Sequence, residues 1–167
     1  MAFALHYQHL VFFAHSLEIL LHTIVEEDHV EHSSDSEGEN VLERTVEFLD
    51  YFDVSLDVIV GCARKIEVTR WPRLFDVAGN PKSLFETCLA TGRLKTAASY
   101  LLVLHALEQL DHSQGDAVRL LRAAMAAKEW QLCRDILRFL RSIDDSGAAL
   151  RVAVTQAGIL ELDGEME

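Results

Sequence analysis

Apolar residues along this chain recur at intervals of three and four, in long runs separated by short polar breaks, which is the period of amphipathic helices. From Phe3 to about Val25, the residues Leu10, Phe13, Leu17, Leu20, Leu21 and Ile24 line one stripe, predicting a helix of about six turns whose Leu- and Phe-rich face needs a cover. The run Glu26 to Asn40 then loses all periodicity. Acids, Ser and Gly with one apolar residue, Val30, cannot offset chain entropy by burial, so a disordered acidic loop is expected. VLERTVEFLDYF follows, with Val41, Leu42, Val46, Leu49 and Phe52 facing inward. Its partner LDVIVGCARKIE supplies Leu56, Ile59, Val60 and Ala63, and Asp53 or Ser55 is the candidate N-cap between them. Gly61 inside that helix costs about 1 kcal/mol relative to Ala, which a close helix crossing would explain.

Val68 to Asn80 reads as irregular: Pro72 fixes the chain after Trp71, RLFDV forms at most one helical turn, and Gly79 ends it. Asn80 then caps the next helix, with Pro81 at its first position where the missing N–H does no harm. That helix stops at Gly92, a candidate for the left-handed residue past a helix end. A helix from Arg93 to about Leu110 presents Leu94, Ala97, Ala98, Leu101, Leu104 and Leu107 on its inner side. Asp111 to Gly115 reads as a polar turn, Asp116 to Ile143 as another hairpin, Asp144 to Gly147 as a turn and Ala148 to Leu160 as a last short helix.

The stretch from Ser83, SLFETCLATGRLKTAASYLLVL, is echoed 36 positions later from Arg119 by RLLRAAMAAKEWQLCRDILRFL. Leu84 aligns with Leu120, Phe85 with Leu121, Leu89 with Met125, Leu94 with Trp130, Ala97 with Cys133, Leu101 with Leu137 and Leu104 with Leu140. A period in the thirties with helix–turn–helix content marks an α-solenoid, in which each hairpin buries its apolar face against its neighbours. The expected fold is all-α, a solenoid of antiparallel helical hairpins with seven or eight helices and no strand. Its parts are a long amphipathic helix over 1–25, an acidic loop over 26–40, a hairpin solenoid over 41–144, and a short helix with an acidic tail over 145–167.

The chain has 167 residues, half of them apolar, enough to bury about 70% of its unfolded surface. Its net charge of −12 is unevenly placed: residues 1–40 hold eight acids and no Lys or Arg, whereas 41–157 carry 15 acids and 15 bases. A nucleic-acid partner is excluded, since phosphate neutralisation needs clustered Lys and Arg. The odd count of three widely spaced cysteines, each in an apolar helical context, argues against disulfides and for a reducing, cytosolic setting. The apolar start lacks the basic leading region of a signal peptide, and Glu18 intervenes before the ~20 apolar residues of a membrane span accumulate.

No motif for covalent chemistry occurs: there is no Gly-rich phosphate loop, no GxSxG and no HExxH. Six of the eight histidines lie in the first 32 residues, but a floppy acidic segment cannot supply the closed ligand set of a zinc site, and His105 reads as a surface or interface residue. No catalytic residue, cofactor or metal is expected. The one local basic cluster, Arg64, Lys65, Arg70 and Arg73, surrounds Trp71 and Phe75. An aromatic, arginines and apolar residues together make a hot-spot composition, so these six residues are the candidate partner contacts. For Trp71 and Phe75 the favoured reading is that they plug the groove between two hairpins, and for the basic cluster that it is a solvated helix end.

The segments GCARK (61–65), RWPRLFDVAGNPKSLFE (70–86) and GRLKTAASYLLVL (92–104), with the hairpin AVRLLRAAMAAKEWQLCRDILRFLRSID, closely resemble the C-terminal α-solenoid of the ribosome control protein 1 (Ric1) family. The resemblance implies a subunit that pairs with an arrestin-like Rgp1-type partner to form a guanine-nucleotide exchange factor for a Golgi Rab GTPase. It implies action in endosome-to-Golgi and intra-Golgi vesicle traffic, from a cytoplasmic position peripheral to Golgi membranes. Family members are long proteins that begin with β-propellers, and nothing here has a propeller's repeated strands, so the resemblance implies a segment of such a subunit. From Asp145 onward the chain no longer resembles the family's continuation. The alternative is a purely structural solenoid segment of a coat or tethering protein that touches no GTPase.

Overall fold

A computed structural model describes residues 6–27, 41–107, 110–144 and 146–156, with side chains described throughout except at 110–113. Among these residues there are nine α-helices, one 3-10 turn and no strand, so the fold is all-α as the periodicity requires. The chain divides into two units, Met1–Leu84 and Phe85–Glu167.

In the first unit, α1 (Phe13–Glu27) lies against both α2 (Val41–Leu49) and α3 (Ser55–Ala63). His6 and Tyr7 are helical, but turns at 8–12, in which Leu10 N–H donates to Tyr7 and Phe13 N–H to Leu10, interrupt the single helix expected from Phe3, whose first residues lie outside the described ones. The buried row of α1 is Leu17, Leu21 and Val25, spaced by four, whereas Leu10 and Leu20 of the expected stripe are 60% and 42% exposed. A row spaced by four drifts around the helix, and α2 and α3 follow that drift, leaving Leu20 to one side. Phe13 meets Phe52 edge to face at 5.1 Å, and Phe52 meets Phe48 in the same way. Glu26 and Glu27, expected in the acidic loop, belong to α1; the rest of that loop lies outside the described residues.

α2 buries Leu42, Thr45, Val46 and Leu49, while Val41, its first residue, is turned outward. The buried Thr45 hydroxyl is satisfied by donating to the Val41 carbonyl at 2.7 Å. Val54 stands at the N-cap position of α3 with helical backbone and no side-chain bond of its own, and the Ser55 hydroxyl donates to Asp50 at 3.3 Å. Successive turn hydrogen bonds carry the chain from α2 into α3. The stretch expected to be irregular folds into a 3-10 turn, Val68–Arg70, and a two-turn helix, α4 (Trp71–Ala78), with Pro72 in its first turn. Gly79 ends it at φ 102°. Asn80 then caps α5 (Pro81–Ala90) as expected, its Oδ1 accepting from Lys82 N–H at 2.8 Å.

The 36-residue period becomes geometry in the second unit. Helix α6 is Leu94–Leu107 and α8 is Trp130–Ile143, each 14 residues long and starting 36 apart. The helix before each closes with the same turn. Arg93 N–H donates to Cys88 at 2.9 Å and Gly92 N–H to Leu89, with Gly92 at φ 71°. Glu129 N–H donates to Ala124 at 2.9 Å and Lys128 N–H to Met125, with Lys128 at φ 61°. Both are Schellman turns. Buried residues repeat in step: Phe85 and Leu121, Cys88 and Ala124, Ala97 and Cys133, Tyr100 and Ile136, Leu104 and Leu140.

The two copies differ where a helix begins. Helix α7 runs from Leu110 to Ala126, so the polar turn expected at Asp111–Gly115 is helical. At the matching point the first copy has Pro81, which bars the residue before it from helical backbone; the second has Ala117, so the helix extends back through Asp116 and Gly115. Asp116, the counterpart of the capping Asn80, is buried inside α7 and lies 3.6 Å from Arg119. The last described helix, α9 (Ala148–Gln156), is capped by the Asp144 carboxylate, which accepts from Ser146 and Ala149 N–H at 2.9 Å each. The Ser146 hydroxyl first, and then those two N–H bonds, hold the Asp144 carboxyl below the usual range. The remainder of the helix expected to reach Leu160 lies outside the described residues.

Lys128 occupies a backbone region that costs a residue with a Cβ about 1–2 kcal/mol. Lys128→Gly is therefore expected to stabilise the second unit by about 0.5–1 kcal/mol, after glycine's greater unfolded-state freedom is subtracted. Gly92→Ala is expected to destabilise it by about 1–2 kcal/mol. Hydrogen exchange of the α7 and α8 amides reads both changes, and equal protection in both variants and the parent would contradict the assignment.

Candidate partner-binding surface

The six residues singled out by composition all lie in the first unit, around the end of α3 and the start of α4. Most are held by that unit itself. Trp71 is 6% exposed, its Nε1 donating to the Ala63 carbonyl at 2.7 Å, and it meets the buried Phe75 edge to face at 6.4 Å. Arg70 reaches across to the end of α1: its guanidinium donates to the Val25 and Glu26 carbonyls at 3.2 and 3.3 Å and pairs with the Glu26 carboxylate at 3.0 Å. The last carbonyls of a helix have no partner inside it, and α1 has no basic residue in its last turn, so Arg70 caps α1 from a distant element. Lys65 pairs with Glu18 of α1 at 2.7 Å. Arg64 is exposed and Arg73 half-buried, and both take part in polar interactions within the fold. Arg64 and Lys65 are the members of the cluster that face solvent.

The Glu18 contact also accounts for Gly61. A Cβ at Gly61 would lie 3.0 Å from Glu18 Oε1 and 3.1 Å from its Cδ, so the bare backbone lets α1 cross α3 closely, as the sequence predicts. No periodicity announces that Glu18 fills this space; it is a charged position on a helix otherwise read by its apolar residues.

The second unit adds an ion pair and a groove that the sequence reading did not single out. Arg119 of α7 grips Glu86 with two parallel bonds at 2.5 and 2.6 Å, which raises the already basic guanidinium further. Helices α6 and α8 border a shallow, mostly apolar groove of about 130 Å³ lined by Ala98, Ser99, Leu101, Leu102, Leu132, Asp135, Ile136 and Phe139. His105 meets Phe139 edge to face at 5.3 Å, and its buried Nδ1 makes no hydrogen bond among the described residues.

The chemistry available is that of surfaces. Cys62, Cys88 and Cys133 are buried free thiols. Burial, helped by the charges of Glu18 and Glu26 and opposed by Lys65, pushes the Cys62 thiol up to about 12. A thiol that holds its proton so firmly is no nucleophile at neutral pH. Among the described residues no three His, Cys, Asp or Glu side chains converge as metal ligands, and no helix is long and apolar enough to cross a membrane.

Stacked hairpins in a fixed 36-residue step place the molecule among the α-solenoid proteins. Residues 1–159 match the family described as the RIC1 C-terminal alpha solenoid region, so the resemblance continues past Asp145, where it was expected to stop, and the chain belongs to that family. It is 41% identical over 131 residues, 78% of its length, to the guanine nucleotide exchange factor subunit R06F6.8 of Caenorhabditis elegans. It is 40% identical over 134 residues, 80% of its length, to the guanine nucleotide exchange factor subunit RIC1 of Homo sapiens. Against the subunit ric1 of Schizosaccharomyces pombe the identity is 25% over 84% of the chain. The chain spans 9% of the length of the worm and human relatives and 13% of the yeast one. No solved structure matches it.

Two outcomes follow from the Arg70 cap and the Cys62 burial. Arg70→Ala leaves two helix-end carbonyls and Glu26 unpaired and is expected to destabilise the first unit by about 2 kcal/mol, with Arg70→Lys recovering part, because an ammonium lacks the guanidinium fork. Urea unfolding followed by Trp71 emission in a Trp130→Phe background measures it. For Cys62 the folded value of about 12 lies above the ordinary 9.0 of the unfolded chain. Above pH 9 the unfolded form therefore loses a proton that the folded form keeps, and stability falls as pH rises toward 12, by at most about 1.4 kcal/mol per pH unit. Urea midpoints between pH 8 and 10.5 should fall less steeply in Cys62→Ala; identical slopes would remove the thiol from the account.

Proposed function

We propose that this chain is the protein-interaction segment of a guanine-nucleotide exchange factor subunit, working by binding and not by covalent chemistry. The observation that carries the reading is the 41% identity over 131 residues to a protein named as such a subunit. In this reading its partners are an arrestin-like Rgp1-type subunit and a Rab-family GTPase. The setting is the cytoplasmic face of Golgi membranes, in endosome-to-Golgi and intra-Golgi traffic. Exchange requires no reactive group on the factor: a surface that binds the nucleotide-free GTPase better than the loaded form shifts the population and ejects GDP. Buried free thiols and a helical exterior are compatible with that division of labour.

The test is release of fluorescent GDP from the Rab, alongside capture of the nucleotide-free Rab and of the partner subunit by the purified chain. Capture of either protein, with no acceleration of GDP release by the chain alone, is the expected result. Capture of neither would favour the purely structural solenoid segment, and full exchange activity by the isolated chain would contradict an interaction role.

A further inference from the structure

In a solenoid, the flank with which one hairpin receives its neighbour recurs one period later as the flank open to whatever comes next. Helix α6 looks across its groove at α8 with Ala98, Leu101, Leu102 and, at one end, His105. Thirty-six residues later the same positions of α8 carry Arg134, Leu137, Arg138 and Arg141, and Leu94 is matched by Trp130. Trp130 is 64% exposed, Arg134, Arg138 and Arg141 are exposed, and Leu137 is half-buried. All five share one stripe, being spaced by three and four along the helix. The apolar flank of the first copy has thus become cationic in the second, with one large aromatic at its start.

We propose that this stripe is a docking surface for an acidic segment of a partner protein, with carboxylates at helical spacing and an apolar side chain to cover Trp130. Charge complementarity selects the occupant: α8 has three arginines and a single acid, Asp135. The arginines are held only loosely by their own helix. Arg134 donates to Gln131, and Arg138 lies 3.6 Å from Asp135 with both side chains more than half exposed, a type of surface pair that is readily exchanged. The second unit already contains the interaction this surface would make, because Arg119 clasps Glu86 in a two-toothed fork between helices. Guanidinium forks match carboxylates in that way, and Trp with Arg is the composition of interface hot spots. A lipid surface fits less well: one tryptophan and a half-buried leucine do not make the broad apolar face by which interfacial helices insert. The inference does not depend on the exchange reading.

Trp130 supplies the readout. The chain has two tryptophans, and Trp71 is buried and hydrogen-bonded, so emission changes on binding report Trp130. The whole chain is titrated with a synthetic helical peptide carrying Glu at every third and fourth position of one face, with its Lys counterpart, and with phosphatidylserine vesicles. The expected result is a blue shift with the Glu peptide, absent with the Lys peptide and lost in 0.5 M salt. Arg138→Gln should weaken affinity severalfold and Arg134→Glu with Arg138→Glu at least tenfold, with helical circular dichroism unchanged. Equal affinity in the variants, vesicle binding in preference to the peptide, or no response to either probe would each overturn the proposal. Loss of exchange-factor partners in the earlier assay, with peptide binding intact, would leave this surface standing and remove only the exchange reading.

Discussion

A pair of antiparallel helices has one internal seam but two outer flanks, so each hairpin of this chain must pass a flank to the next element to bury it. That constraint sets the 36-residue step. Helices α6 and α8 have the same length and share the buried positions Thr96/Leu132, Ala97/Cys133, Tyr100/Ile136 and Leu104/Leu140, and the turns before them close with the same pair of backbone bonds. The geometry is retained even where the residue suits it poorly: Lys128 adopts the left-handed backbone that Gly92 adopts freely, because a different turn would rotate α8 away from α7.

The same constraint explains how the charges are used. A solenoid offers many helix ends and few places to hide them, and its basic residues answer that need first. Arg70 closes the end of α1, and Arg122 closes the end of α9 by donating to the Gln156 carbonyl. Lys65 holds Glu18 where α1 crosses Gly61, and Arg119 ties α7 to Glu86. A sequence count of bases therefore overstates how much positive charge faces outward. Three of the remaining bases, Arg134, Arg138 and Arg141, fall together on the exposed side of α8.

Much of this architecture was legible in the sequence because it is written in local signals. Asn80 with Pro81, Gly92 as a turn, Gly61 as a close crossing and the 36-residue echo each depend on neighbours a few residues away or on direct comparison of two segments. The misreadings share the opposite cause. Helix α4 hides behind Pro72, which reads as a breaker but sits harmlessly in a first turn; α7 extends backward because Ala117 replaces a proline; Val41 and Leu20 face outward because distant helices decide which side of each is covered. The burial of Trp71 and Phe75 was readable from their bulk, whereas the partners of Arg70 and Trp71 on α1 and α3 were not. A cap supplied from 45 residues away leaves no local pattern.

These arrangements bear on what a chain spanning 9% of the length of its worm and human relatives can hold by itself. In a quasi-one-dimensional stack, stability is close to a sum over repeats and their nearest-neighbour contacts, so a few hairpins can keep a defined surface without the rest of the chain. Under the proposed function, exchange by differential binding would set a quantitative demand on such surfaces. A thousandfold preference for one nucleotide state of a GTPase corresponds to about 4 kcal/mol. One exposed ion pair supplies at most about 1 kcal/mol, so no single arginine can meet that demand. It must be shared among several contacts held rigidly together, and a stripe of three arginines and a tryptophan on one packed helix is the form in which a solenoid can hold them.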